Sequence, residues 1–229
     1  MESELLLGQI DYYRERAAEY DEWFFRQGRY DRGEETNRAW FHQVEEVRAG
    51  LAQFNPTGDV LELAGGTGLW SERLVTTAKS LTVVDASPEM MEINGRRLDK
   101  ANVRYILADL FEWQPDRQYD AVFFSFWLSH VPPTRFEGFW HAVASALKTG
   151  AKVFLVDSRF ERSSTAVDHV LPGEPETTVN RKLNDGRSFT IVKMFYDAAD
   201  LSRMLAEIGW TAKLTDTQDF FVYGSVERT

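Results

Sequence analysis

The chain contains no cysteine. That absence excludes disulfide staples, thiolate metal sites and cysteine nucleophiles, and it suits a reducing compartment. Long apolar runs are also missing, and nothing approaches the roughly 20 residues of a membrane-spanning helix. The opening MESELLLGQIDYY has an acidic start and no basic region, which is not the pattern of a secretory leader. The expectation is a cytoplasmic protein with no membrane partner. Positive charge is in deficit: 26 Lys and Arg stand against 36 Asp and Glu, a formal net charge of −10. The nearest thing to a basic patch, Arg14, Arg16, Arg26, Arg29 and Arg32, is interleaved with acids, so no nucleic-acid partner is expected. There is no internal repeat and no low-complexity segment.

What is present suits one domain of 229 residues, 43% hydrophobic, with material for a substantial core. Residues 3–25 read as a helix rich in tyrosine and tryptophan, 26–36 as a polar loop, and 37–53 as a second amphipathic helix. The next hundred residues alternate. Short apolar strands are expected at 59–63, 80–85, 103–107, 120–124 and 151–157. Helices are expected at 69–76, 88–98 and 135–147. Ser87 is a cap candidate before Pro88 and Glu89. Nearly continuous apolar strands alternating with helices imply a parallel sheet covered on both faces. Residues 159–186 read as polar and irregular. SFTIVKMFY then reads as a strand, DAADLSRMLAEIG as a helix capped by Asp197, and 213–226 as one more strand. The direction of that last strand does not follow from periodicity.

DVLELAGGTGLWSERL (59–74) carries three glycines in four positions at a strand–helix junction. Such a turn lets a ligand approach the main chain closely, beyond the carboxyl end of the strand. The dinucleotide pattern G-x-G-x-x-G would need a glycine where Ser71 stands. Three acids flank the loop instead, and no lysine is placed for a phosphate. Glu62 interrupts an apolar strand, and a buried carboxylate asks for a cationic partner. Asp85 ends the second strand, where a carboxylate can take ribose hydroxyls. Asp109 follows the third. The implied ligand has a ribose, a base, an amino-acid head and net positive character.

On LELAGGTG (61–68), VVDASPEM (83–90), ILADLF (106–111) and YDAVFFSFWLSHVP (119–132), in that order, the chain resembles class I S-adenosylmethionine-dependent methyltransferases of the small-molecule type. The resemblance implies a single methyltransferase domain over 1–229. Within it, 1–53 forms an N-terminal helical lid, 54–158 the cofactor-binding core, and 159–229 an acceptor loop and the last strands. The implied fold is α/β and Rossmann-like. It has a seven-stranded, mostly parallel sheet with helices on both faces, its last strand antiparallel between the fifth and sixth. The implied cofactor is S-adenosyl-L-methionine, with S-adenosyl-L-homocysteine as product. Glu62, Ala64, Gly65, Gly66 and Gly68 would hold its methionine end, Asp85, Ala86 and Met90 its ribose side, and Asp109 with Leu110 its adenine. Ser125 and Phe126 would border it. Tyr12, Tyr13 and Tyr20 would close over it.

Methyl transfer from a sulfonium is an in-line displacement, and a base is needed only for a nucleophile that carries a high-pKa proton. His130, one of four histidines with His42, His141 and His169, is the candidate base or orienting group. Trp23, Tyr30, Trp127, His130, Asp157, Arg159 and His169 are the candidate acceptor contacts. No metal is expected, since His130, Asp157 and His169 lack a ligand-spacing signature. The aromatic residues point to O- or N-methylation of a small aromatic or heterocyclic metabolite, whereas a carboxylate acceptor would need no base and would meet an arginine. Monomer and homodimer both stay open. The alternatives are a nicotinamide-dependent oxidoreductase and a non-catalytic S-adenosylmethionine-binding protein.

Overall fold

The structure, a computed structural model, describes residues 2–99, 102–171, 173 and 176–229. Five parallel strands form one side of a seven-stranded sheet: β1 (Gly58–Leu63), β2 (Ala78–Asp85), β3 (Val103–Leu107), β4 (Tyr119–Ser125) and β5 (Leu147–Ser158). The order across the sheet is β3-β2-β1-β4-β5-β9-β8, with β8 (Trp210–Asp216) at the edge. β9 (Phe221–Arg228) runs antiparallel to both β5 and β8, so the last strand of the main sheet sits tucked between its fifth and sixth, β5 and β8, as expected.

Alternating side chains of the central strands feed two separate cores. Leu61, Leu63, Val122, Phe124, Val153 and Leu155 pack under α6 (Pro133–Ala146) and α7 (Ala198–Glu207). Val60, Val83, Ala121, Phe123, Phe154 and Val156 pack under α3 (Glu34–Phe54), α4 (Ser71–Thr77) and α5 (Pro88–Leu98). Burial on both faces is why these strands read as continuous apolar runs. The Ser87 side chain accepts from Met90 N at the start of α5, and Asp197 accepts from Asp200 N at the start of α7. Both are the caps anticipated.

Three expectations change. The first helix is interrupted: α1 (Glu2–Arg16) and α2 (Tyr20–Phe24) are joined by a 3-10 turn at Ala17–Glu19. The break falls where buried Arg16 lies within reach of three tyrosine rings. SFTIVKMFY does not enter the main sheet. Only β7 (Ser188–Val192) is extended, and it pairs antiparallel with β6 (Thr178–Lys182) inside the stretch read as irregular. This hairpin packs on α1 through Tyr12, Val179, Leu183 and Ile191. The tail forms two strands, β8 and β9, split by a turn in which Thr217 Oγ1 accepts from Phe220 N and Phe221 N. Residues 172, 174 and 175 of the expected loop lie outside the described residues.

The sheet reverses direction of winding between β1 and β4, which places the site at their carboxyl ends. The other edge depends on Gly224, which pairs with Leu155 and Leu214 at φ +149°. A Cβ there would lie 2.1 Å from the Lys213 carbonyl oxygen and 3.0 Å from Leu214 Cα, and these are backbone atoms of β8 that no side-chain rotation can move aside. Gly224→Ala is expected to cost at least ~2 kcal/mol and to lower Tm by about 5 °C or more. An unchanged unfolding midpoint would refute the close approach of β8 and β9.

Candidate active site

The glycine turn opens directly off β1. Gly65 is packed so tightly that a Cβ would sit 2.3 Å from Val83 Cγ1, and one on Gly68 would sit 2.9 Å from Asn94. Gly66, at φ +52°, faces open space. Ala64 and Phe126, which follow the ends of adjacent β1 and β4, also take left-handed backbone angles, φ +53° and +52°. Non-glycine residues there store roughly 1–3 kcal/mol each of strain. Both line the chamber between the two strand ends.

That first chamber has about 680 Å³ of free space. Its far end holds Asp85, Ala86, Ser87, Met90, Asp109 and Leu110; Ser125, Phe126, Trp127 and His130 form another wall. Asp85 Oδ2 accepts from Gly66 N and Oδ1 from Ser87 N, both at 2.8 Å, which ties the glycine turn to the end of β2. Asp109 Oδ1 accepts from Phe111 N at 2.9 Å. Two carboxylates line this chamber and, among the described residues, no lysine or arginine does. Such a donor set suits a cationic nucleoside and opposes a pyrophosphate. A smaller recess past Gly65, Gly66 and Thr67 extends it under Tyr20 and Trp23.

Glu62 and Gly68 do not line the chamber. Glu62 lies beneath the turn, 1% exposed, and accepts a hydrogen bond from Ser71. Asn94 Nδ2 donates to the same serine hydroxyl, and Tyr105 donates to Asn94 Oδ1. The residue that broke the dinucleotide pattern is therefore the partner of the strand carboxylate. Burial, with a smaller contribution from Asp85, pushes the Glu62 carboxyl up to about 8. The glycine contacts explain Gly68 as packing against Asn94.

A second chamber, with about 550 Å³ of free space, lies between α1 and the hairpin β6–β7. Arg16, Arg181 and Lys193 line it, with Tyr12, Tyr30 and Trp23. No carboxylate among the described residues does. Arg16 Nη2 donates to Tyr30 O–H, 3.1 Å, and its guanidinium lies 4.8 Å from the Tyr20 ring centre. Arg181 Nη1 donates to Thr165 Oγ1 at 3.1 Å. Lys193 Nζ donates to Ser129 Oγ at 2.8 Å, with Asp157 Oδ1 behind it at 3.9 Å. Burial pulls the Lys193 ammonium down to about 8, against the pull of Asp157. The Arg16 Nε and the Tyr12 hydroxyl are buried without a hydrogen-bond partner.

Tyr13, Tyr20, Phe126 and His130 belong to both chambers and form the wall between them. Around this wall the sequence reading is redistributed. Tyr12, expected at the cofactor, packs on the hairpin and faces the second chamber. Trp127, expected at the acceptor, lies in the first chamber beside Phe111. Asp157 lines neither: it accepts from Ser129 N and Ser158 N. Arg159 points away, bound to the Thr217 and Gln218 carbonyls. Trp23, Tyr30 and His169 do line the second chamber. His169 Nε2 accepts from Lys182 N, so Nδ1 carries the proton and faces Thr165 Oγ1 at 3.2 Å. Burial and the neighbouring Arg181 lower its pKa to about 3, and it works as a neutral strut. Arg16 and Lys193 are the residues sequence reasoning passed over. Among the described residues there is no group of three or more His, Asp or Glu able to hold a metal ion. No helix among them is long and apolar enough to cross a membrane.

The N-terminal segment is fastened to this site. Asp21 accepts from Thr67 Oγ1 of the glycine turn at 2.6 Å and pairs with Arg97 of α5. Gln9 Nε2 donates to the His130 carbonyl, while its Oε1 accepts from Val192 N.

A glycine cradle closed by Asp85, beside a carboxylate-lined chamber at the switch point of a seven-stranded sheet, defines the class. The chain belongs to the class I S-adenosylmethionine-dependent methyltransferases, with S-adenosylmethionine as cofactor and S-adenosylhomocysteine as product. Residues 60–150 match the family described as "Methyltransferase domain". The chain is similar to DhpI solved in a "DhpI-SAM-HEP complex", 42% identical over 97% of each chain with a TM-score of 0.78. Against the "DhpI-SAH complex structure" the identity is 38% over 98% of this chain and 97% of that one, again with a TM-score of 0.78. A demethylmenaquinone methyltransferase of Tropheryma whipplei (strain Twist) is 28% identical over 109 residues, a match spanning 47% of this chain and 45% of that protein.

The Glu62 carboxyl sets a pH-dependent stability. Its folded pKa is above the model-peptide value of 4.5, so between about 4.5 and 8 the unfolded chain binds fewer protons than the native one. Stability from this group is present at the acid end and is lost as pH rises towards 8. Glu62→Gln keeps the acceptor oxygen and removes the titration. The variant is expected to gain stability relative to the parent as pH rises from 5 to 8, measured by urea unfolding without cofactor. Parallel pH profiles would show that Glu62 titrates normally.

Proposed function

We propose that the protein transfers the methyl group of S-adenosylmethionine to an anionic oxygen of a small acid held in the second chamber. The observation that carries this reading is the set of buried cations, Arg16, Arg181 and Lys193, around a space with no carboxylate in its wall. Burying such charges is costly without a counter-charge, and an acid acceptor supplies one. Of the acceptors weighed from sequence, oxygen fits better than nitrogen: an amine or protonated ring nitrogen would sit beside three positive charges. The tyrosine and tryptophan walls leave room for an aromatic or apolar body on that acid.

The bound cofactor supplies an electrophilic methyl on a positively charged sulfur. This chain's residues do the rest. The glycine turn, Asp85 and Asp109 hold the nucleoside, with Ala64, Ala86, Met90, Leu110, Ser125 and Phe126 around it. The cations of the second chamber hold and orient the acid. α1 and the hairpin exclude water from both. An acid already ionised at neutral pH has no proton to remove, so no general base is required. His130 is suited to orienting rather than to base chemistry, because both ring nitrogens are engaged. The cofactor core and the N- and C-terminal regions act as one methyltransferase domain over 1–229.

The test uses methyl-labelled S-adenosylmethionine and a pool of small carboxylic acids, phosphate monoesters, phenols and amines. The expected product is a methyl ester identified by mass, its label lost in mild base if the acid is a carboxylic acid and retained if it is a phosphate monoester. Label found only in amines or neutral phenols would refute the reading. With the acid so identified, Arg181→Gln is expected to raise its KM by about tenfold or more, since a charge-assisted hydrogen bond is worth ~1.5–3 kcal/mol. Cofactor affinity should stay within about twofold. Lys193 is charged only below its pKa of about 8. Acid binding should therefore weaken as pH rises through 8, and Lys193→Met should flatten that limb.

A further inference from the structure

The wall between the chambers contains a hydrogen-bonded pair whose direction can be worked out. His130 Nδ1 lies 2.7 Å from the Val192 carbonyl oxygen. A carbonyl only accepts, so Nδ1 carries a proton. Nε2 lies 2.6 Å from the Tyr13 hydroxyl. The charged groups around this imidazole oppose a second proton: Arg16 from α1, Arg181 from β6 and Lys193 just beyond β7, with Asp157 of β5 standing behind the lysine. Burial acts in the same sense, and His130 is 5% exposed. Nε2 is therefore bare and accepts, and the Tyr13 O–H donates to it. The phenol proton is committed, which leaves the lone pairs of the oxygen as what Tyr13 offers to the rest of the wall. Burial keeps that phenol protonated. The imidazole is itself anchored, because Gln9 bonds both the His130 and Val192 backbones.

Tyr13 lines the carboxylate-lined chamber and the basic chamber alike. A group passing from one to the other meets it. We propose that the Tyr13 oxygen contacts the reacting methyl as a hydrogen-bond acceptor, and that His130 is the positioning residue that fixes the phenol in that role. A sulfonium methyl carries positive charge on its hydrogens, so a phenol oxygen with its own proton turned away attracts it. The demethylated product has neither the charge nor the methyl. The pair thus favours the cofactor over its product and aims the methyl at the wall. This assignment rests on cofactor chemistry and holds whatever the acceptor is.

The experiment is calorimetry of the full chain with S-adenosylmethionine and S-adenosylhomocysteine, without acceptor. Tyr13→Phe is expected to raise the Kd for S-adenosylmethionine by about threefold or more, in line with ~0.5–1 kcal/mol for a weak C–H···O contact. The Kd for S-adenosylhomocysteine should change less than about twofold. His130→Phe should shift the ratio the same way, and the double variant should add little more. An unchanged ratio, or equal losses for both ligands, would overturn the proposal. A readout on the parent protein needs no variant: the methyl protons of bound 13C-methyl S-adenosylmethionine should move downfield of the free compound. Unmoved or upfield protons would overturn it as well.

Discussion

The site depends on one separation of charge. A chamber walled by Asp85 and Asp109, with no cation among its described lining residues, meets a chamber walled by Arg16, Arg181 and Lys193, with no carboxylate among its own. Between them stand Tyr13, Tyr20, Phe126 and His130. A sulfonium and an anion brought to opposite sides of such a wall neutralise each other as the methyl moves. In a desolvated site the attraction between them is far larger than in water. In the proposed function the same separation keeps each ligand out of the other's chamber.

Much of the surrounding architecture serves to hold this wall. β1 and β4 are paired in parallel, so their ends lie side by side, and the left-handed residues Ala64 and Phe126 follow directly after them and line the chamber. Asp85 ties the glycine turn to β2, and Asp21 ties it to the N-terminal segment. Gln9 and the hairpin position the other side. The N-terminal helices are more than a cover: Phe24 is buried in the core under α3, and Trp40 Nε1 donates to its carbonyl oxygen.

The parallel core was legible in sequence because central strands buried on both faces leave an unmistakable apolar trace. The caps at Ser87 and Asp197 are equally local and were equally readable. SFTIVKMFY misled for the same reason that β1 did not. It is a mostly apolar run broken by Ser188, Thr190 and Lys193, but its partner is a polar hairpin strand and α1 rather than the sheet. The glycine turn, Asp85 and Asp109 were each readable because each falls at or just past the end of a clearly apolar strand. Glu62 was read as a buried carboxylate that asks for a cationic partner, whereas its partner in the structure is the neutral Ser71, nine residues on, which in the sequence showed only as a mismatch to the dinucleotide pattern. The basic chamber was largely illegible. Arg16 sits among acids in a helix whose reading rested on its tyrosines and tryptophan, and Arg181 and Lys193 come from in and just beyond a distant hairpin. Only the packing of α1 on β6–β7 unites them, and no spacing encodes it.

The central claim is most directly tested by titrating inorganic phosphate, as a probe anion, into the protein saturated with S-adenosylhomocysteine and following the heat. Separate chambers predict one anion site that persists with the nucleoside bound and is lost in Arg181→Gln. If the nucleoside displaces the anion, or if Arg181→Gln binds it undiminished, the two charges do not occupy the two chambers and the account is contradicted.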